Sequence, residues 1–355
     1  FRAHAKTGAL LKTSGEKEKG EAQLSLDLTG PLLAPKLSLA LALDQYQVSD
    51  QTLSDCAISL QSRSLDLERL LRAETQTPPL QLDLDVHGKF NGEPLSTSLA
   101  LWAELASETS FEDLSLGIKN LDLKALGLEA KGDVSARLDQ GNPQLTGTLS
   151  AAISDWHALA AFVPDQQLSG TVTSSLTLAP GSHGSQDLDL RIDAPNFSLV
   201  QAKAEPLRLE QIHVKVALAD LFAQRKLLAT LAAGSLALGP QKTSLNAELS
   251  GTADNLALNL KSRGDLRSDL ALHYAPGKVE ISRLQLAANA KAFTGKDALL
   301  GVNLKQSASV AFGANAVNVS GLDLALLPKG QLSARGSLAP EKYAFQLALK
   351  DLDLE

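Results

Sequence analysis

Residues 80–105 read LQLDLDVHGKFNGEPLSTSLALWAEL. Leu80, Leu82, Leu84 and Val86 fall on alternate positions, with Gln81, Asp83 and Asp85 between them. After the polar stretch HGKFNGEP the alternation returns at Leu99 and Leu101. Successive side chains of a β-strand point to opposite faces, so this pattern predicts two strands and a loop, each strand apolar on one face and wet on the other. The same writing recurs in LSLDL (24–28), LSLALAL (37–43), LSLGI (114–118), LDLRI (188–192), IHVKVAL (212–218), LALNL (256–260), LDLAL (322–326) and FQLAL (345–349). Helical i, i+3, i+4 spacing rarely competes with it. Turn signals separate the segments: Gly30-Pro31, Gly141-Asn142-Pro143, Pro180-Gly181, Gly239-Pro240, Pro276-Gly277 and Pro328-Lys329-Gly330. The expected fold is all-β: one long, curled antiparallel sheet, open and repeat-like, continuous over residues 1–355.

Two stretches depart from the alternation. LDLERLLRAE (65–74) offers Asp66 as an N-cap, with Leu67, Leu70 and Leu71 along one side. SDWHALAAFVPD (154–165) offers Ser154 as N-cap, then Trp156, Leu159, Phe162 and Val163, and stops at Pro164. Both predict short helices at an edge of the sheet. A Leu-Thr/Ser-Gly tripeptide also recurs, at 28–30, 145–147, 168–170 and 249–251, with Val319-Ser320-Gly321 as a variant. Glycine there allows a bulge or a sharp bend that curves a sheet.

Composition changes the picture of what the apolar face meets. Hydrophobic residues are 44% of the chain but aromatics only 4%, and Met is absent. Large aromatic side chains usually dominate globular cores, so the apolar surface expected here is thin and repetitive. The net charge of −7 supplies no basic field for nucleic acid. Cys56 is the single cysteine, which excludes an internal disulfide and a Cys-based zinc site; a small strand residue near Ile58 is the reading that follows. The longest apolar run, 227–239, falls short of the roughly 20 residues that span a bilayer. The alternation is still running at Phe1 and in the terminal LALKDLDLE, which predicts an internal segment of a longer protein.

Candidate chemistry is sparse. The six histidines are scattered without metal-ligand spacing. Asp83-x-Asp85-x-His87-Gly88 carries His87 and Pro94 where a calcium loop needs carboxylates. Gly181-Ser182-His183-Gly184-Ser185 sets Ser beside His in a small polar loop and reads as a turn. Glu112 and Asp113 are sequence neighbours and point to opposite faces of a strand, so they form no acid/base pair. The sequence therefore predicts no enzyme, no cofactor and no metal.

Three arrangements could satisfy the apolar faces. A sandwich interleaves large side chains across about 10 Å, and these are scarce here. An outer-membrane barrel carries aromatic girdles, which two Trp and three Tyr do not supply. A trough lined by Leu, Val and Ala stays apolar without being filled, and suits an acyl chain at about 0.8 kcal/mol per buried CH₂. At roughly 12 residues per strand and turn the chain would give about 30 strands, and a sheet on the order of 140 Å.

The LxLxL strands, the recurrent L-[ST]-G and two longer units carry a resemblance. In ISDWHALAAFVPDQQLSGTVTSSLTLAP (153–180) a helical phrase passes through Pro164 into Leu168-Ser169-Gly170 and a strand. VNVSGLDLALLPKGQLSARGSLAP (317–340) is phrased alike. This pattern resembles the TamB/AsmA-like family of bacterial envelope proteins across nearly the whole chain. The resemblance implies a periplasmic β-taco groove, an inner-membrane anchor upstream and an Omp85-class outer-membrane partner reached by other regions. It further implies transport of phospholipid between the membranes, and for TamB members a translocation and assembly module serving autotransporters and other outer-membrane proteins. On this reading the acyl chains rest on alternate residues of the strands: Leu37, Leu39, Leu41, Leu43, Leu80, Leu82, Leu84, Val86, Leu188, Leu190, Ile192, Ile212, Val214, Val216, Leu256, Leu258 and Leu260.

Overall fold

The computed structural model describes residues 2–10, 19–31, 34–48, 51–64, 80–105, 114–139, 142–162, 166–181, 185–201, 205–221, 225–289, 299–313, 316–339 and 342–351. Among these residues are 22 strands of one antiparallel sheet and one short 3-10 helix, so the fold is all-β. The chain divides into two compact units, Phe1–Leu188 and Asp189–Glu355.

The first unit is a meander of β1 (Arg2–Leu10), β2 (Lys19–Thr29), β3 (Lys36–Val48), β4 (Gln51–Ser64), β5 (Leu80–Phe90), β6 (Glu93–Leu105), β7 (Leu114–Ala125), β8 (Leu128–Asp139), β9 (Asn142–Ile153) and β10 (Gln166–Pro180). Each strand pairs antiparallel with the next. Strand β11 (Gln186–Gln201) contains the boundary between the units. The second unit continues with β12 (Leu207–Ala219), β13 (Lys226–Leu238), β14 (Gln241–Thr252), β15 (Asn255–Gly264), β16 (Leu266–Ala275) and β17 (Lys278–Asn289). Next come β18 (Leu299–Leu304), β19 (Ala308–Phe312), β20 (Val317–Leu327), β21 (Gln331–Ala339) and β22 (Lys342–Lys350). Here β18 and β19 share one place in the order, each pairing with β17 on one side and β20 on the other.

The described residues hold 22 strands, against roughly 30 expected for the whole chain from about 12 residues per strand and turn. Strand β10 runs 15 residues and β11 runs 16, each absorbing more than one short alternating motif. Their length suits a backbone whose alternation is broken rarely and whose turns are tight. In the β5–β6 hairpin, Asn91 and Gly92 both have positive φ, at 50° and 86°. That is the primed turn whose twist matches the flanking strands.

All five glycines of the recurrent tripeptide have positive φ: Gly30 (103°), Gly147 (148°), Gly170 (106°), Gly251 (130°) and Gly321 (71°). A Cβ at Gly147 would lie 2.2 Å from the Asp133 carbonyl oxygen, so the neighbouring strand can approach only because the side chain is missing. The β20–β21 register shifts across Gly321, a bulge of the kind the tripeptide predicts.

The expected helix after β9 starts later than the sequence suggests, and residues 163–165 of that stretch lie outside the described residues. Residues 157–162 form a 3-10 helix, and Asp155, not Ser154, caps it: the His157 N–H donates to Asp155 Oδ1 at 2.9 Å. A six-residue stretch ahead of a new strand has no room for repeated α-helical hydrogen bonds, and the tighter 3-10 turn fits. Trp156 anchors this linker by donating Nε1–H to the Gly170 carbonyl at 2.6 Å. The other expected helix, 65–74, lies outside the described residues.

Buried side chains are small. The buried apolar residues are Cys56, Ala100, Ala194, Ala233, Ala237, Ala271 and Ala308, and none of the described Leu, Ile, Val or Phe side chains reaches that class.

Candidate functional site

Strand register assembles the separate alternating motifs into rows. In the first unit Leu26, Leu39, Leu60, Leu84 and Leu99 stand opposite one another in turn across β2 to β6. In the next row Leu28 stands opposite Leu37, whose N–H donates to Ser62 Oγ at 2.7 Å, and the register continues from Ser62 through Leu82, Leu101, Ile118, Val134 and Gly147 to Leu178 on β10. Leu41 aligns with Ile58 and Val86, Leu43 with Cys56, and Leu80 with Ala103. Directly opposed residues share a face, so Leu37, Leu39, Leu41, Leu43, Leu80, Leu82, Leu84 and Val86 lie on one face of the sheet. The alternate row, Ser38, Gln61, Asp83 and Ala100, takes the other face.

The second unit repeats the arrangement. Val214, Leu231, Ala247, Leu260, Leu270 and Leu284 form a row across β12 to β17. Val216, Ala229, Leu249, Leu258, Leu272, Ile281 and Ala308 form its neighbour, ending on β19. Ile212 stands opposite Ala233, and Leu256 opposite Tyr274. Leu188, Leu190 and Ile192 occupy alternate positions of β11 and are half-buried. The seventeen alternate residues singled out from the sequence are all on strands and all half-buried.

Half-burial is the informative property. A side chain flanked by neighbours on both adjacent strands loses part of its surface to them, and the rest only to a second layer. Here Leu101, Leu116, Leu266, Leu286 and Leu300 remain more than a third exposed on this face. Large apolar residues in contiguous exposed rows mark a surface that meets another apolar body.

The opposite face is charged and paired. Asp55 Oδ2 accepts from Lys89 Nζ at 2.9 Å, and this hydrogen bond and charge raise the lysine above its ordinary value. Partial burial pushes the Asp189 carboxyl up, but Arg191 at 2.9 Å and Lys215 at 3.4 Å outweigh it and hold it below the usual carboxylate value. Arg63 pairs with Asp83, and Lys131 with Asp122 at 3.3 Å. Trp102 also lies on this side, across Gly117, with Lys119 Nζ 4.8 Å from its ring centroid.

Two hollows open at the strand ends of the second unit. One, about 450 Å³, is lined by Leu266, Leu286, Ala288, Leu300, Val302, Leu326 and Lys329 among others. The other, about 650 Å³, is lined by Lys261, Arg263, Arg267, Asp269, Gln285 and Asn303 among others. Sequence reasoning missed this basic cluster, although KSRGDLR (261–267) writes three cations around a tight turn.

Among the described residues no group of three His, Cys, Asp or Glu gathers as a metal site. Asp83 and Asp85 are strand carboxylates of β5, and Asp83 pairs with Arg63. Ser182-His183-Gly184 and Glu112-Asp113 lie outside the described residues. No helix of the described residues is long and apolar enough to cross a membrane. A scan against protein-family models, a search of curated proteins and a search of solved structures match nothing to this chain.

Proposed function

We propose that the leucine face carries phospholipid acyl chains between the two membranes of a Gram-negative envelope. One observation carries the reading: apolar rows run strand after strand within each unit, yet none of the described Leu, Ile, Val or Phe side chains is buried. A folded protein that leaves a whole apolar face half covered keeps it for something apolar that comes and goes. Acyl chains satisfy that requirement without any specific contact, since burial of each CH₂ is worth about 0.8 kcal/mol wherever it lands along the row. Head groups ride in water at the polar margin while the tails slide. The resemblance to the TamB/AsmA-like family adds the setting: the periplasm, an inner-membrane anchor outside this segment, and an Omp85-class partner in the outer membrane. The reading invokes no enzyme chemistry and no cofactor.

A second reading is a scaffold of a translocation and assembly module that templates incoming client strands by edge-to-edge pairing.

Site-specific photocrosslinking in cells separates the two. Probes at Leu84 and Leu41 sit on the apolar face, and probes at Asp83 and Ser38 on the opposite one. Adducts of phospholipid mass are expected at the first pair and not at the second. Protein adducts at Leu347, with no lipid at Leu84, would remove the lipid reading in favour of the scaffold.

A further inference from the structure

We infer that the polar face of the second unit carries a binding site for a phosphorylated saccharide, in the hollow of about 650 Å³ beside the β15–β16 turn. This face is opposite the leucine rows, so the site is independent of the acyl-chain reading. Two rows of the register build it. Lys261 stands opposite Asp269, Asp269 opposite Gln285, and Gln285 opposite Asn303, a row across β15 to β18. In the neighbouring row Arg267 stands opposite Ala287, Ala287 opposite Gly301, and Gly301 opposite Leu327. Arg263 is two residues from Lys261 on β15 and takes the same face, across the turn from Arg267. Leu299, two residues from Gly301 on β18, also takes that face. The floor is sunk because Ala287 and Gly301 carry almost no side chain, while the longer side chains around them form the walls.

Charge in this hollow does not balance. The lining acid, Asp269, is shared: Arg283 Nη1 donates to its Oδ1 at 2.7 Å, and Lys261 stands directly opposite it. The acid in the turn, Asp265, uses Oδ2 to accept the Lys242 backbone N–H at 2.8 Å. Four cations, Lys261, Arg263, Arg267 and Arg283, thus meet two acids, in a chain whose net charge is −7. Arg263 and Arg267 carry the surplus of two. Neither forms an ion pair among the described residues, and Arg267 Nε makes one long contact, 3.4 Å, to the Gly264 carbonyl. A phosphomonoester brings a charge of about −1.5 to −2 at neutral pH, and guanidinium forks fit its oxygens two at a time.

The turn fixes the backbone of both arginines before a ligand arrives. The Asp265 N–H donates to the Lys242 carbonyl at 2.9 Å, and the Asn289 N–H to the Asp265 carbonyl at 3.2 Å. Thr243 Oγ1 donates to the carbonyls of Leu266 (2.7 Å) and Arg263 (3.1 Å). A backbone held in this way loses less freedom on binding. The rest of the hollow suits a sugar. Gln285 and Asn303 line it with two amides, each both donor and acceptor, and Leu299 and Leu327 supply apolar flanks. A sugar ring presents hydroxyls at its rim and C–H groups on its faces, and uses both surfaces. Free phosphate uses neither, and the volume falls within the range of small-ligand sites, about 300–1,000 Å³.

The test is isothermal titration calorimetry of the whole chain with glucose 6-phosphate, glucose and inorganic phosphate. One variant combines Arg263→Gln and Arg267→Gln; the other combines Gln285→Ala and Asn303→Ala. Circular dichroism and the urea midpoint check that each keeps its fold. The expected result is tighter binding of glucose 6-phosphate than of inorganic phosphate, and none of glucose. The arginine variant weakens glucose 6-phosphate by roughly tenfold for each charged hydrogen bond lost. The amide variant brings glucose 6-phosphate down to the level of inorganic phosphate and leaves inorganic phosphate unchanged. Equal binding of the two anions by the unaltered chain overturns the inference, because a plain basic patch does not distinguish them. So does an arginine variant that binds as before, or an unaltered chain that takes no glucose 6-phosphate. Vesicles containing phosphatidic acid test the other source of the same phosphate. If the chain sediments with them through the two arginines and binds no glucose 6-phosphate, the face is a membrane contact and the inference falls. None of these outcomes moves the acyl-chain reading, which the crosslinks at Leu84 and Leu41 decide.

Discussion

Gln186 has no accessible surface, in a chain whose other buried residues are nearly all small. Its side-chain amide acts as a missing piece of backbone. Oε1 accepts the Leu145 N–H at 2.7 Å, and Nε2 donates to the carbonyls of Leu145 (2.9 Å), Ala179 (2.9 Å) and Asp187 (3.1 Å). The β9–β10 ladder runs only as far as Gly147 opposite Leu178, so Leu145 lies past the last rung and takes its partner from this side chain. Gln186→Ala would leave two part-buried backbone groups of Leu145 without this partner and is expected to cost about 1–2 kcal/mol, read as a fall in the urea midpoint. Gln186→Glu should cost a similar amount, since a carboxylate cannot donate to the Leu145 carbonyl. An unchanged midpoint in either variant would remove this role. Nothing near position 186 in the sequence announces it. The partner is 41 residues away, and local alternation carries no information about where a neighbouring strand stops.

At the scale of the element, alternation made the strands legible and the tripeptide made the bends legible. Both signals are local: strand faces follow from a two-residue period, and positive φ is a conformation that glycine adopts without a Cβ penalty. Three mid-strand residues with positive φ, Asp55 (51°), Asn120 (55°) and Gln211 (54°), escaped notice because their types are ordinary on a polar face. The groove candidates were legible one strand at a time, but their assembly into rows was not, because register depends on turn lengths and bulges such as those at Asp55 and Asn120. The role of the glycines can be measured. Gly147→Ala faces both a φ of 148° and a carbonyl 2.2 Å from the new Cβ, whereas Gly92 (φ 86°) has nothing within 4 Å. Gly92→Ala is expected to cost about 1 kcal/mol from backbone strain alone, and Gly147→Ala at least twice that. Equal losses in the urea midpoint would mean that β8 moves aside freely and that the tripeptide does not hold adjacent strands close.

The whole molecule exposes 22377 Å² of surface. A compact protein of 37.4 kDa would expose roughly 13,700 Å², and two separate compact proteins of half that mass about 16,500 Å². Against an unfolded chain of about 54,000 Å², folding buries only about 60% of the surface, where a chain of some 300 residues usually buries about 75%. Leucine rows that each keep one side open would add to such a deficit. Apolar burial sets the heat capacity of unfolding, so the shortfall has a calorimetric signature. The expected value is roughly four-fifths of the usual 12–15 cal/mol/K per residue. Short-chain phospholipid added at saturation should raise it toward the ordinary figure, because unfolding then also strips lipid from the leucines. A heat-capacity change already in the ordinary range without lipid, and unmoved by it, would mean that the apolar faces cover one another in solution. In that case a chain with no unfilled surface would have nowhere to carry an acyl chain, and the lipid reading would fail.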